Sequence, residues 1–74
     1  MTRLLGYVTE VMSWNVRYRI RFTSNSVEYS VFGFSKDASF QPNVGNQIRV
    51  EGQLKIHPKT GEKRIMADNL TVVA

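Results

Sequence analysis

Arginine occupies every second position of residues 17–22, which read RYRIRF, so Arg17, Arg19 and Arg21 share one face if this segment is a β-strand. Guanidinium groups two residues apart on a strand are separated by about 7 Å, and like charges at that distance repel by roughly 0.6 kcal/mol in water. The row therefore contributes little to folding unless an anion neutralises it. Its spacing is close to that of successive phosphates in an extended polynucleotide, which predicts a phosphate-binding surface. The alternative is a solvated face crossed by Glu28 or another acid on a neighbouring strand.

Aromatic side chains near this row could offer flat faces on which unstacked bases lie. Phe32 falls on the arginine side of the next predicted strand, where base stacking, a subunit interface or packing under residues 35–43 would explain it. Trp14 lies in the predicted connection between the first two strands, and it either stacks with a base or caps one end of the fold. Phe34 is a further candidate stacking residue, and for Phe34 and Phe40 packing against the protein is the competing interpretation.

Three lysines, Lys55, Lys59 and Lys63, surround the last predicted hairpin loop. They could follow a polynucleotide backbone, although a turn is hydrophilic for other reasons as well. His57, the single histidine, stands in the same loop, and the chain has no cysteine. Because no carboxylate stands at ligand spacing from His57, we predict neither a metal site nor a cofactor and assign this histidine to the turn.

The sequence offers little material for catalysis. It contains no nucleophile with an adjacent base, no carboxylate pair and no glycine-rich phosphate loop, so we expect a binding protein and not an enzyme. Ten Lys and Arg against six Asp and Glu give a net charge of +4, which favours an anionic partner.

Alternation of apolar and polar residues dominates the chain, and no window has helical spacing, so we predict an almost all-β protein. From the second strand onward, successive strands are separated by a turn, by an irregular connection with at most one helical turn, and by a second turn. The predicted strands are residues 4–12, 17–22, 27–32, 47–55 and 64–73, the turns are 23–26 and 57–61, and the irregular connection is 35–43.

Two positions predict departures from regular pairing. Gly6, inside the first strand, indicates a bulge or a sharp bend. The alternation of the last strand loses its phase near Asp68 and Asn69, which indicates a bulge there. The aromatic residues that we assign to the core are Tyr18, Phe22 and Tyr29.

Five strands with a long connection between the third and the fourth match the five-stranded Greek-key barrel of the OB-fold better than a sandwich, which needs about seven strands. A chain of 74 residues makes one domain, residues 1–74, and its 42% apolar and 22% charged composition is typical of a folded protein. The absence of cysteine, of a signal peptide pattern and of any long apolar stretch leads us to expect a cytoplasmic protein without a membrane span.

Several segments resemble the bacterial single-stranded DNA-binding protein family. They are residues 29–38 (YSVFGFSKDA), 44–54 (VGNQIRVEGQL) and 65–70 (IMADNL) with Gly61, and more loosely 5–9 (LGYVT); Gly45 and residues 50–54 carry most of the likeness. The resemblance implies an OB barrel that binds single strands in DNA replication. Members usually have longer loops and a disordered tail with an acidic tip. We expect neither here, which implies strand binding without a recruiting role and leaves open a primosomal-type or mobile-element relative.

We therefore expect a protein that binds single-stranded nucleic acid, DNA over RNA, without sequence specificity. The alternatives are an OB-fold module for protein interaction or assembly and an OB domain that binds RNA. Because the predicted first strand is long and would leave an open edge, we also expect a homodimer or homotetramer.

Overall fold

The computed structural model describes residues 1–14, 16–34 and 42–73, with the backbone alone described at Trp14. Five strands close into a barrel in the order β1-β2-β3-β5-β4, in which only the β3–β5 pair is parallel. This confirms the predicted all-β, five-stranded barrel of OB type. Most of the predicted irregular connection, residues 35–41 with Phe40, lies outside the described residues. The strands are β1 (Thr2–Trp14), β2 (Arg17–Ser24), β3 (Val27–Phe34), β4 (Gln47–Ile56) and β5 (Lys63–Val72).

The barrel interior is filled from all five strands. Successive side chains of a strand point to opposite sides, so every second residue enters the core. The predicted core residue Phe22 is fully buried, and its ring stacks on Tyr29 with centroids 5.5 Å apart. Tyr18 and Tyr29 are half-buried and pack against this core. The buried apolar side chains are Val8, Ile20, Phe22, Val31, Ile48, Val50 and Ile65.

The β2–β3 hairpin fixes which side chains share a face. Its two-residue turn, Asn25 and Ser26, has φ angles of 52° and 66°, as a type I′ turn requires. The turn is therefore shorter than the predicted residues 23–26, because Thr23 and Ser24 complete β2. Ser24 is buried, and its hydroxyl donates a 2.6 Å hydrogen bond to the carbonyl oxygen of Leu5 on β1.

The irregularity of β1 does not lie at Gly6. The register with β2 shifts between Val8 and Glu10, so Thr9 is the extra residue of a bulge. Gly6 has a different task, because a Cβ there would overlap the carbonyl oxygen of Thr23 and press against the Phe22 ring. Glycine is therefore needed at this position so that β1 can approach β2 closely.

The bulge predicted near Asp68 is confirmed. Glu51 of β4 pairs with Asn69 of β5, whereas the next residue, Gly52, pairs with Ala67, so Asp68 is left over. The shift brings the carbonyl oxygen of Met66 against Gly52, where a Cβ would overlap it. The bulge allows both Ile65 and Leu70, which an unbroken strand would point to opposite sides, to pack into the barrel.

Candidate nucleic-acid interface

One outward face combines most of the predicted site residues. β2, β3 and the first residues of β5 lie side by side, and residues paired in register share a side of the sheet. Arg19, Phe32 and Met66 form one cross-strand row, and Arg17 pairs with Phe34 in the next. We call this surface the arginine face; it consists of Arg17, Arg19, Arg21, Phe32, Phe34, Arg64 and Met66.

Cations and aromatic rings are in contact on the arginine face. The guanidinium carbon of Arg17 lies 5.5 Å from the centroid of Phe34. Those of Arg19 and Arg64 lie 5.7 and 5.8 Å from the centroid of Phe32. Contacts of this kind contribute about 0.5–1 kcal/mol each at exposed sites. The prediction that Phe32 lies on the arginine side of the hairpin is therefore correct, and the rings hold the cations in place.

The two phenylalanines differ in accessibility. Phe34 is 67% exposed, so its ring is not used for packing, the interpretation that competed with stacking. Phe32 is half-buried and has two guanidinium groups near it. Of these two rings, Phe34 is the one with more surface available to a partner.

Arg21 is neutralised by neighbouring strands, as the alternative interpretation of the arginine row proposed. Its Nε lies 3.4 Å from a carboxylate oxygen of Glu28, and a terminal nitrogen lies 3.9 Å from Glu10. Among the described residues, no carboxylate comes within 4.0 Å of Arg17 or Arg19. The uncompensated positive charge of β2 is therefore concentrated on the half of the strand that pairs with Phe32 and Phe34.

Arg64 joins the face from β5, with Glu62 beside it. Its Nε donates a hydrogen bond to the Glu62 carboxylate. This hydrogen bond holds the pKa of the Glu62 carboxyl below its usual value. Arg64 is thus partly compensated, and Glu62 also interacts electrostatically, more weakly, with Arg19 and Arg21.

An open cleft of about 400 Å³ lies at the end of the face where β3 and β5 separate. Its outer walls come from Arg17, Phe32, Phe34, Arg64 and Met66. Tyr18 and Gly33 also line it, and a Cβ at Gly33 would overlap the Tyr18 hydroxyl. Burial raises the pKa of Tyr18 above its usual value of 10.0, so the phenol is protonated at neutral pH.

The three lysines are not gathered in one place. Lys55 pairs with Arg64 and therefore extends the arginine face onto β4. Lys63 pairs with Ile56, which places it on the opposite side of the same hairpin. Lys59 is exposed in the intervening loop. His57 belongs to that turn, as predicted, because its Nδ1 accepts hydrogen bonds from the backbone N–H groups of Lys59 and Thr60 at 3.2 and 3.3 Å.

Trp14 is the last residue of β1. Our prediction that it lies in the connection between the first two strands is therefore wrong. Its backbone pairs with Arg17, which begins β2, so the connection shrinks to residues 15–16. The Trp14 side chain lies outside the described part of the protein, and its stacking role stays a prediction.

Sequence reasoning missed Arg64 and Met66. Alternation around the buried Ile65 already indicates that both point outward. What the alternation does not show is that β5 pairs in parallel with β3, which places Met66 beside Phe32. Tyr18 was assigned to the core alone, yet it also lines the cleft.

Within the described ranges, no helix has the length and apolarity needed to cross a membrane, and no three His, Asp or Glu side chains come together as metal ligands. No family model matches the chain, and no curated protein is similar enough to count as a relative.

Proposed function

We propose that this protein binds single-stranded nucleic acid, DNA in preference to RNA, on the arginine face and without sequence specificity. The observation that carries the proposal is that two arginines without an ion pair among the described residues each pair with a phenylalanine, Arg17 with Phe34 and Arg19 with Phe32. The preference for DNA rests on the resemblance of the sequence to the bacterial single-stranded DNA-binding proteins.

The spacing of the two pairs suits an extended polynucleotide. Residues two apart on a strand are separated by about 7 Å, so each step along β2 presents one guanidinium for a phosphate beside an aromatic ring, of which the exposed Phe34 is the one open to a base. Arg19 and Arg21 each have a buried Nε–H with no hydrogen-bond partner among the described residues, so this feature supports an acceptor on the arginine face but does not separate the two arginines. A buried donor in that state costs about 1–3 kcal/mol, which an acceptor such as a phosphate oxygen could recover.

Binding must compete with the contacts that the face already makes. A base that stacks on Phe34 has to share the ring with Arg17, or displace it at a cost of about 0.5–1 kcal/mol. Stacking a base contributes about 1–3 kcal/mol, and the displaced guanidinium can then contact a phosphate. The exchange favours the complex. It is also independent of base identity, since every base has a π face.

The test is a fluorescence anisotropy titration of labelled, unstructured DNA and RNA oligonucleotides at several salt concentrations. Each neutralised phosphate contributes about 0.7 to the slope of log affinity against log salt, so two uncompensated arginines predict a slope of about −1.4, steeper if Lys55 and Lys59 also contribute. Affinity for DNA should exceed that for RNA, and excess duplex should compete poorly. A slope near zero, or no binding at low salt, would refute the proposal and favour an apolar protein partner. Displacement by a folded RNA alone would favour the RNA-binding alternative.

We also retain the proposal that the protein self-associates as a dimer or tetramer. The pairing of β4 with β1 ends at Gly52, so within the described strands residues 53–56 have a neighbour on one side only. Leu54 and Ile56 in this stretch are 39% and 59% exposed. A second copy would cover both the edge and the apolar side chains. Sedimentation should give a mass that is a multiple of the 8.5 kDa of one chain, and the Ile56→Lys variant should have a smaller mass. A monomer at all concentrations would exclude self-association.

A further inference from the structure

A nucleic-acid strand that simply followed β2 would leave the cleft beside Met66 empty. The parallel ladder between β3 and β5 runs from Ser30 with Arg64 to Phe32 with Met66, and there it ends. Gly33 and Phe34 continue β3 without a paired residue on β5 among the described residues. The cleft opens at this divergence, beside the rings of the arginine face.

The walls of the cleft define the chemistry of what fits. Phe34, Met66 and the Tyr18 ring form apolar and aromatic walls, and none of the described lining residues carries a carboxylate. Arg17 and Arg64, each near a phenylalanine ring, supply positive charge at the rim. A ligand that matches has a flat, weakly polar part and an anionic part, which is the description of a nucleotide.

The size of the cleft limits the ligand to a single unit. Its volume of about 400 Å³ is at the small end of the range for ligand sites, about 300–1,000 Å³. At about 30 Å³ for each water in the liquid, it equals roughly thirteen waters, enough for the ten or so non-hydrogen atoms of a base and part of its sugar.

We propose that the cleft is a subsite for one unpaired nucleotide, with the base among Tyr18, Phe34 and Met66 and the phosphate at Arg17 or Arg64. The inference rests on the proposed function and deepens it, because one nucleotide of a bound strand turns into the cleft and the others lie along β2.

Methionine methyl groups report on this site directly. The chain has three methionines: Met66 in the cleft, Met12 on the neighbouring β1 outside it, and Met1 at the terminus. Protein labelled with ¹³C at the methionine methyls is titrated with thymidine 5′-monophosphate, with thymidine and with inorganic phosphate. The nucleotide should move the Met66 methyl upfield, saturably and further than Met12, through the ring current of the base. Phosphate alone should not produce this shift, and a response to phosphate equal to that of the nucleotide would contradict a base in the cleft.

Two charge variants provide a matched pair, since Met66 and Leu5 are 45% and 46% exposed and Leu5 pairs with Arg49 on β4, away from the arginine face. Met66→Glu should abolish nucleotide binding measured by calorimetry, whereas Leu5→Glu should retain it. Equal losses in both variants would overturn the subsite, and so would an unmoved Met66 methyl in a protein that still binds oligonucleotides. Nucleotide binding in a protein that fails to bind oligonucleotides would instead support the cleft and refute the proposed function.

Discussion

Charge variants on and beside β2 test whether Arg19 binds phosphate, as proposed, and whether the acids around Arg21 keep that arginine from doing so. Arg19→Gln removes a cation with no carboxylate within 4.0 Å among the described residues. Glu10→Gln with Glu28→Gln, in one protein, releases Arg21 from contacts of 3.9 and 3.4 Å. If the arginine face binds phosphates, the two proteins should change affinity in opposite directions.

The size of both effects follows from counterion release. Each phosphate contact on a single strand contributes about 0.7 to the log-log slope. At 0.1 M salt, one decade below the 1 M reference, this is a factor of about 5 in affinity, or about 1 kcal/mol. Arg19→Gln should therefore weaken binding about fivefold and reduce the magnitude of the slope by about 0.7. The double glutamine variant should strengthen binding by a similar factor and make the slope steeper by a similar amount.

Anisotropy titrations of an unstructured DNA oligonucleotide at four salt concentrations measure both quantities. Arg49→Gln is the control, because Arg49 is an exposed arginine on β4 that pairs with Leu5 and Thr71, away from β2 and β3. It should change neither the affinity nor the slope by a comparable amount. Circular dichroism confirms that each variant is folded. Equal effects of Arg19→Gln and Arg49→Gln would show attraction by net charge alone, and weaker binding by the double variant would refute the assignment of Arg21.

Three further outcomes follow from the contacts described. Phe34→Leu keeps an apolar side chain but removes the ring, so oligonucleotide affinity should fall by about 1–3 kcal/mol with the salt slope unchanged, and an unaltered affinity would exclude stacking there. Gly52→Ala should reduce the free energy of unfolding in urea by about 1–3 kcal/mol, because its Cβ would overlap the Met66 carbonyl, whereas Gln53→Ala next to it should change it by less than about 0.5 kcal/mol. Tyr18 has a raised pKa in the folded protein, so its contribution to the free energy of unfolding is complete below pH 10.0 and is lost as the pH rises further. In Tyr18→Phe, the free energy of unfolding should therefore fall less between neutral and alkaline pH than in the unaltered protein. An equal fall in both proteins would contradict this.

The barrel could be predicted from the sequence because its strands are regular. Tyr18, Ile20 and Phe22 alternate with arginines, and the later strands show the same alternation. A shift of one residue in the pairing register would therefore move the core side chains of a strand to the outer face. The bulge at Asp68 could also be predicted, because Ile65 and Leu70 cannot both point inward on an unbroken strand. Thr9 gave no such signal. β1 pairs with both β2 and β4, and the bulge at Thr9 depends on this double pairing. The residues around Thr9 do not indicate it.

The site was predictable only as far as it depends on one hairpin. Alternation and a short turn place Arg19 opposite Phe32. The parallel pairing of β3 with β5 joins residues more than thirty positions apart, so the contribution of Arg64 could not be read from spacing. Likewise, periodicity puts an arginine at residue 21 on the correct face but does not show that Glu10 and Glu28 reach it.

Occupation of the rings by guanidinium groups gives the two phenylalanines different tasks. Phe32 has Arg19 and Arg64 within 6 Å of its centroid, and it is half-buried, so a base would have to remove two cations to stack on it. At about 0.5–1 kcal/mol for each cation–π contact, that cost approaches the 1–3 kcal/mol that one stacked base returns. Phe34 has one described cation–π contact, with Arg17, and more exposed surface, so stacking there retains a clear surplus. If the arginine face binds a strand as proposed, we therefore expect Phe32 to keep two cations in position for phosphates and Phe34 to be the ring on which a base stacks.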